Sequence, residues 1–182
     1  TQLRAALRAS AYGPLQIMFP MVGSLEDIRK AKEYLNLAKE QLKERKQQFD
    51  EQIRIGIMIE IPAIALIADL AAEEVDFASI GSNDLTQYLS AADRMNPEVA
   101  AYYKSDSTAM LRLLGFVFRE FSKREKEISV CGEMAGNPET AQLLVGLGAR
   151  KLSMSSGNIA GVKAKLAECT LQELTALAEK KL

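Results

Sequence analysis

The feature that most constrains this chain is a recurring unit: a short apolar run that halts at a polar group and is followed by a stretch of helical period. Ile-Gly-Ile-Met-Ile-Glu-Ile-Pro (55–62), Ser-Ile-Gly-Ser-Asn-Asp-Leu-Thr-Gln-Tyr (79–88) and Ser-Val-Cys-Gly-Glu-Met-Ala-Gly (129–136) are its clearest instances. Near-continuous apolar runs mark strands of a parallel sheet, because such strands are buried on both faces. Their C-terminal ends converge on one rim, where α/β proteins build their sites. Glu60, the Asn83-Asp84 pair and Cys131 stand at those ends. Two carboxylates and a thiol on one rim suit a hard cation and a proton donor acting on a small anion.

Residues 1–12 read as the tail of a helix, with Leu3, Ala6 and Leu7 on one face and Gly13-Pro14 ending it. Strands are predicted over 15–19, 53–59, 77–80, 128–131 and 151–154. Ser24 offers an N-cap with Asp27 near the third helical position, opening a helix to about Asp50. Within it Ile28, Leu35, Leu42 and Phe49 recur on one stripe against a charged remainder. Pro62 opens a helix over about 62–74, and Gly81-Ser82-Asn83-Asp84 turns into another. Asp106, Ser107 or Thr108 caps a helix reaching about Lys126, and Asn137-Pro138 opens one that stops near Gly146 or Gly148. Thr170-Leu-Gln-Glu173 is a capping-box pattern for the last helix. A helix followed by about five β-α pairs means an α/β fold with a parallel sheet. No repeat, low-complexity tract or linker interrupts 1–182, so one unit without an internal boundary is expected.

With 23 basic and 24 acidic residues and a net charge of −1, the chain lacks the basic surface that drives nucleic-acid binding. No apolar run approaches the ~20 residues of a membrane span. Cys131 and Cys169 sit in unlike contexts with no disulfide pattern, so a reduced, cytoplasmic setting is expected. Thr1-Gln2-Leu3-Arg4 is no signal peptide, and the missing Met points to a processed or excised piece. There is no histidine. That excludes a Ser-His-Asp triad, a Cys-His dyad, histidine-ligated zinc and any phosphohistidine on this chain.

Each candidate has a bland reading and a functional one. Glu60 is either a surface carboxylate or a magnesium ligand, since magnesium takes one or two carboxylates plus substrate oxygens and water. Asp84 is the natural second ligand. Asn83 beside it is a turn residue, a cap or a ligand-holding amide, and the Gly-Ser-Asn-Asp turn presents amide donors suited to a carboxylate or phosphate. Arg94 either pairs with Asp93 or grips a phosphoryl group through two parallel hydrogen bonds. Cys131 is either a packed thiol or a group that gives or takes a proton at carbon, and Gly132 after it argues for close approach of something else. Cys169 reads as packing. Glu133, Ser153 and Ser155 also lie at strand ends without a firm role.

Together these stretches resemble the phosphoenolpyruvate-utilising enzymes, most closely the Enzyme I branch of the bacterial sugar phosphotransferase system. The resemblance rests on Ile-Met-Phe-Pro-Met (17–21), Met-Ile-Glu-Ile-Pro-Ala (58–63), Val-Asp-Phe (75–77), the 79–88 stretch, Ala-Ala-Asp-Arg-Met-Asn (91–96), Cys-Gly-Glu-Met-Ala-Gly (131–136) and Leu-Ser-Met-Ser (152–155). It implies a phosphoenolpyruvate- and magnesium-binding (β/α)8 barrel of which this chain is about the last five β/α units. By position Glu60 and Asp84 would ligate the metal, Asn83, Asp84 and Arg94 would hold substrate, and Cys131 would protonate the enolate carbon to give pyruvate. The phosphoryl group would go to a histidine on a separate N-terminal domain and then to a small histidine-containing phosphocarrier for sugar uptake. The family domain also forms homodimers. Two departures stand out: the first three barrel strands, which in the family supply further arginines, are missing, and so is the phosphohistidine domain; a smaller change is Asn137 where the family usually has Asp. The chain alone is therefore expected to turn over weakly or not at all. Competing expectations are a non-catalytic self-associating fragment, a pyruvate phosphate dikinase or phosphoenolpyruvate synthase domain, and a magnesium-dependent pyruvate aldolase.

Overall fold

Helix α1 (Gln2–Ser10) turns its Leu7 inward and hands the chain to strand β1 (Gln16–Phe19). The structure, a computed structural model, describes residues 1–182. Helix α2 (Leu25–Glu44) opens with a capping box: Ser24 accepts from the Asp27 amide while Asp27 accepts from the Ser24 amide. Strand β2 (Arg54–Ile59) leads to α3 (Pro62–Leu66) and α4 (Ala68–Glu74), and β3 (Phe77–Gly81) runs directly into α5 (Ser82–Ser90). A single 3-10 turn (Pro97–Val99) breaks the long connection to α6 (Thr108–Lys123). Strand β4 (Glu127–Cys131), the short α7 (Glu133–Gly136), α8 (Pro138–Leu147), α9 (Ser156–Ala167) and α10 (Leu171–Glu179) complete the chain.

The four strands lie in the order β1-β2-β3-β4, every pair parallel. This is the expected α/β fold. Ile57 and Ile59, Ala78 and Ile80, and Val130 point to the helical side and join Ile64, Leu114, Phe118 and Phe121 in one buried core. A smaller core of Leu7, Ile17, Leu35, Ala38, Leu42 and Ile53 lies under α1 and α2. Residues of the opposite phase, among them Met18, Met58, Phe77, Ser79, Ser129 and Cys131, wall a recess of about 540 Å³ on the other face. Gly56 is required there, since a Cβ would meet the Phe77 ring at 2.6 Å.

Four details depart from the sequence expectation. The fifth strand, expected over 151–154, is reduced to one parallel bridge between Val130 and Leu152. Val130 donates to the Lys151 carbonyl (3.0 Å) and Ser153 donates to the Val130 carbonyl (2.8 Å), after which the chain leaves for α9. Helix α2 ends at Glu44 rather than near Asp50, because Lys46 adopts φ 54°. The Lys46 amide bonds the Lys43 carbonyl and the Gln47 amide bonds the Leu42 carbonyl, both at 2.9 Å, which is a Schellman closure. Phe49 joins the small core from the loop instead of the helix. The single helix expected over 62–74 is broken at Ile67, which leaves helical dihedrals at φ −114°, ψ 33°. Helix α9 had no expected element, and its only buried residue is Val162, so no apolar stripe announces it. No helix is long and apolar enough to cross a membrane.

Candidate functional site

Glu60 follows the last residue of β2 and is only 6% exposed. Its Oε1 accepts the Met21 amide at 2.7 Å. Met21 lies in the loop after β1 with φ 54°, a conformation that costs a non-glycine residue about 1–3 kcal/mol and persists only where surroundings enforce it. Gly81, at the end of the neighbouring strand, leaves room for the same carboxylate: a Cβ there would stand 2.9 Å from Glu60 Oε2 and 3.0 Å from Glu60 Cβ. Oε2 accepts no hydrogen bond from the protein and keeps contact with solvent. One oxygen of Glu60 is thus fixed and the other is open.

Ser82, Asn83 and Asp84 form the first turn of α5. The Ser82 hydroxyl donates to the Cys131 carbonyl at 2.7 Å, and the Thr86 hydroxyl donates to the Ser82 carbonyl, also at 2.7 Å. These bonds tie the start of α5 to the end of β4. Asn83 is not the cap, a position held by Gly81; its Oδ1 instead accepts the Glu133 amide across the rim at 3.0 Å. Asp84 pairs with Arg94 at 3.7 Å, both side chains more than a third exposed. Such pairs contribute ~0–1 kcal/mol, so a ligand can displace either partner at small cost. The expected surface alternative, Arg94 with Asp93, is not formed: Asp93 Oδ1 accepts the Met95 amide at 2.9 Å.

Cys131 faces Gly81 in the β3–β4 register. Its half-buried thiol donates to the Ile80 carbonyl at 3.4 Å and lies 3.9 Å from Met58 Sδ. It walls both the recess on the open face and a cavity of about 370 Å³ at the rim, where Asn83, Glu133, Ser153 and Ser155 also stand. Gly132, with φ +100°, is required because a Cβ would lie 2.5 Å from Ser82 Oγ and 2.9 Å from Asn83 Oδ1. What approaches Gly132 is therefore the Ser82-Asn83 turn itself. Cys169 packs as expected, its sulfur accepting from Gln142 Nε2 at 3.4 Å.

Glu60, Asn83, Asp84 and Cys131 thus share one rim, and Arg94 reaches it through Asp84. The thiol bonds a backbone carbonyl, not a carboxylate, and no group of three or more histidine, cysteine or acidic side chains converges. The donor set offers a recessed oxygen of Glu60, beside Gly81, and the Asp84 carboxylate in the first turn of the helix that Gly81 caps. That fits a magnesium ion, which keeps water and substrate oxygens for its remaining positions. Sequence reasoning missed the Met21 amide and Tyr103, whose hydroxyl donates to the Asn83 carbonyl at 3.1 Å. Burial pushes the Tyr103 phenol above its usual value of 10, with Glu133 and Asp84 adding to the rise and Arg94 opposing it. Neither had a local signal, since no Gly marks the turn at Met21 and Tyr103 sits in an unpatterned connection.

A protein-family profile described as PEP-utilising enzyme, PEP-binding domain, matches residues 1–171. The chain belongs to the phosphoenolpyruvate-utilising enzyme family, through a match to the profile of its phosphoenolpyruvate-binding domain. It is similar to multiphosphoryl transfer protein 2 of Escherichia coli K12, at 47% identity over 173 residues, covering 95% of this chain and 21% of that protein. It is also similar to the phosphoenolpyruvate-protein phosphotransferases of Priestia megaterium (45% identity, 96% of this chain and 30% of that one) and Bacillus subtilis 168 (44% identity, 99% and 32%). The chain therefore spans less than a third of the length of these relatives. A solved citrate synthase, SbnG, superposes with a TM-score of 0.48 at 16% identity, over 91% of this chain and 66% of that one, a likeness too loose to carry an argument.

Proposed function

We propose that this chain is the C-terminal portion of a phosphoenolpyruvate-binding (β/α)8 domain, without internal boundary, in a phosphoenolpyruvate-protein phosphotransferase. The open oxygen of buried Glu60, beside the Asn83-Asp84 turn, is the observation that carries the reading. The barrel reading is supported by the four parallel strands in sequential order and by the recess on the face opposite the helices.

In this reading Glu60 and Asp84 hold magnesium, whose charge, when bound, offsets that of the phosphate and of the enolate oxygen. Asn83, Asp84 and Arg94 orient phosphoenolpyruvate, Arg94 exchanging its exposed pairing with Asp84 for the ligand's oxygens. The bond between phosphorus and the enol oxygen breaks, and the phosphoryl group passes to a histidine on a separate domain, then to a small histidine-containing phosphocarrier. Phosphoryl transfer asks the protein for alignment and charge more than for covalent chemistry. Cys131 then delivers its proton to the enolate carbon, giving pyruvate. Its thiol is hydrogen-bonded as a donor to the Ile80 carbonyl, the state such a role needs. The setting is cytoplasmic and the working form a homodimer.

Cys131→Ala in the longer natural protein tests this. Pyruvate formation should fall about 10²–10⁴-fold, the usual contribution of a positioned acid, while phosphoenolpyruvate affinity stays within about three-fold. Equal loss of both would overturn the acid role. Condensation of pyruvate with an aldehyde would instead favour an aldolase.

A further inference from the structure

We propose that Tyr103 is a positioning residue that latches residues 95–105 onto the rim and thereby holds Arg94 against Asp84. The inference rests on the reading of Arg94 as a ligand-gripping group, but its evidence is separate.

The long connection between α5 and α6 leaves the rim at Ala91, which ends the helix in the left-handed region at φ 50°. Arg94 stands at the start of this strap, its amide bonded to Gln87 Oε1 at 3.0 Å and its guanidinium 3.7 Å from Asp84 Oδ1. Beyond it, the backbone bonds of residues 95–105 close on neighbours within the strap: Asn96 to Asp93, Val99 to Asn96, Tyr102 to Val99, Tyr103 to Ala100. The side-chain bonds, Met95 to Asp93 and Glu98 to Asn96, are equally local. From residues 95–105 one hydrogen bond leaves the connection for the rest of the molecule, from the Tyr103 hydroxyl to the Asn83 carbonyl at 3.1 Å. Hydrophobic anchorage is poor as well, for Met95 is 81% and Tyr102 71% exposed.

The latch therefore closes on the same residue whose side chain bridges to Glu133 and whose neighbour carries the partner of Arg94. A phenol, whose ordinary value is near 10, is a donor at neutral pH, and burial of Tyr103 favours the neutral form further. Opening the bond would free residues 95–105 to move about their local turns, and would loosen the backbone next to Arg94, whose amide then keeps its bond to Gln87 as its remaining backbone tie. Local openings of this kind are the low-stability end of a structure and are read by amide exchange.

The test is Tyr103→Phe in the 182-residue chain, which removes the hydroxyl and keeps the ring. Two ligand-free readouts decide it. Amide hydrogen exchange over 95–105 should quicken about five- to ten-fold, the effect of one lost hydrogen bond, while β2 and β3 amides keep their protection. The Arg94 Nη–H resonance, assigned with Arg94→Lys, should shift toward that of a free guanidinium. Unchanged strap exchange, loss of sheet protection together with strap protection, or an unmoved Arg94 resonance would each overturn the latch. Magnesium-dependent phosphoenolpyruvate affinity, measured alongside, should weaken about five- to ten-fold. If the latch opens and affinity stays within two-fold, the positioning role falls. If the unsubstituted chain binds no phosphoenolpyruvate, the functional reading of the site falls, and the two ligand-free readouts still judge the latch.

Discussion

Glu60 and Gly81 act as a pair: the carboxylate can lie where it does only because its neighbour across the strands has no side chain. Gly81→Ala places a methyl 2.9 Å from Oε2 and 3.0 Å from Glu60 Cβ, so the carboxylate must move. We expect a stability loss of about 1–3 kcal/mol in urea titration, typical of overpacking, together with loss of magnesium-dependent ligand binding. Retained binding would separate Glu60 from the metal. Tyr103 supplies a pH prediction at the same scale. Its phenol titrates above the usual 10, so the folded state holds that proton longer than the unfolded one. Its contribution to stability is complete below pH 10 and is lost as pH rises beyond it. Ultraviolet titration of the chain against Tyr103→Phe should show the late-titrating phenol disappear. At this scale the sequence exposed the reactive groups but not their partners. Glu60, Asp84 and Cys131 stand out as polar ends of apolar runs, whereas the Met21–Glu60 and Asn83–Glu133 bonds depend on loop dihedrals and strand register that no local pattern encodes.

Helix starts with a polar cap were legible, as was the end at Gly148, and the ends closed by other residues were not, for a chemical reason. Ser24 with Asp27, Asn137, and Thr170 with Glu173 use side chains that announce a cap. Asn137→Ala should cost about 1 kcal/mol, since Oδ1 accepts both the Glu139 and Thr140 amides, and thermal melting measures it. The C-terminal closures at Lys46, Ala91 and Glu125 use left-handed residues that are not glycine, so composition did not mark them. Gly146 shows the opposite case, a glycine that serves packing. Its Cβ would fall 2.1 Å from the Leu174 carbonyl, so Gly146→Ala should force α10 away from α8 and lower the melting temperature by several degrees. Ion pairs also join elements: Arg29 and Lys32 on α2 meet Glu74 on α4 at 3.0 and 2.7 Å. The hydrogen bond from Lys32, then that from Arg29, holds the Glu74 carboxyl below its usual 4.5. A lowered carboxylate stabilises above that value and loses its effect as pH falls through its folded pKa. Glu74→Gln should therefore lower the melting temperature at pH 7 and have little effect near pH 2; an equal effect at both would contradict the pairing.

The whole molecule is one parallel sheet with helices on one side and a recess on the other. Parallel pairing and the shared rim were legible because near-continuous apolar runs separated by helical stretches leave parallel pairing as the economical solution, and parallel strands put their ends on one side. The fifth strand was not, because a segment such as 151–154 is fixed by its one neighbour: it pairs at Leu152 and then departs. Met18 is 38% exposed on the recessed face, and β1 has an unpaired edge beyond it. Sedimentation should accordingly show mass rising with concentration, and a monomer throughout would contradict the homodimer. The central claim is a divalent-ion site shared by Glu60 and Asp84 that receives phosphoenolpyruvate. Calorimetric titration of phosphoenolpyruvate into the 182-residue chain tests it most directly. Saturable heat with magnesium, abolished by chelation and by Asp84→Ala, is the predicted result; the same affinity with and without the metal, or no binding in either case, would contradict it.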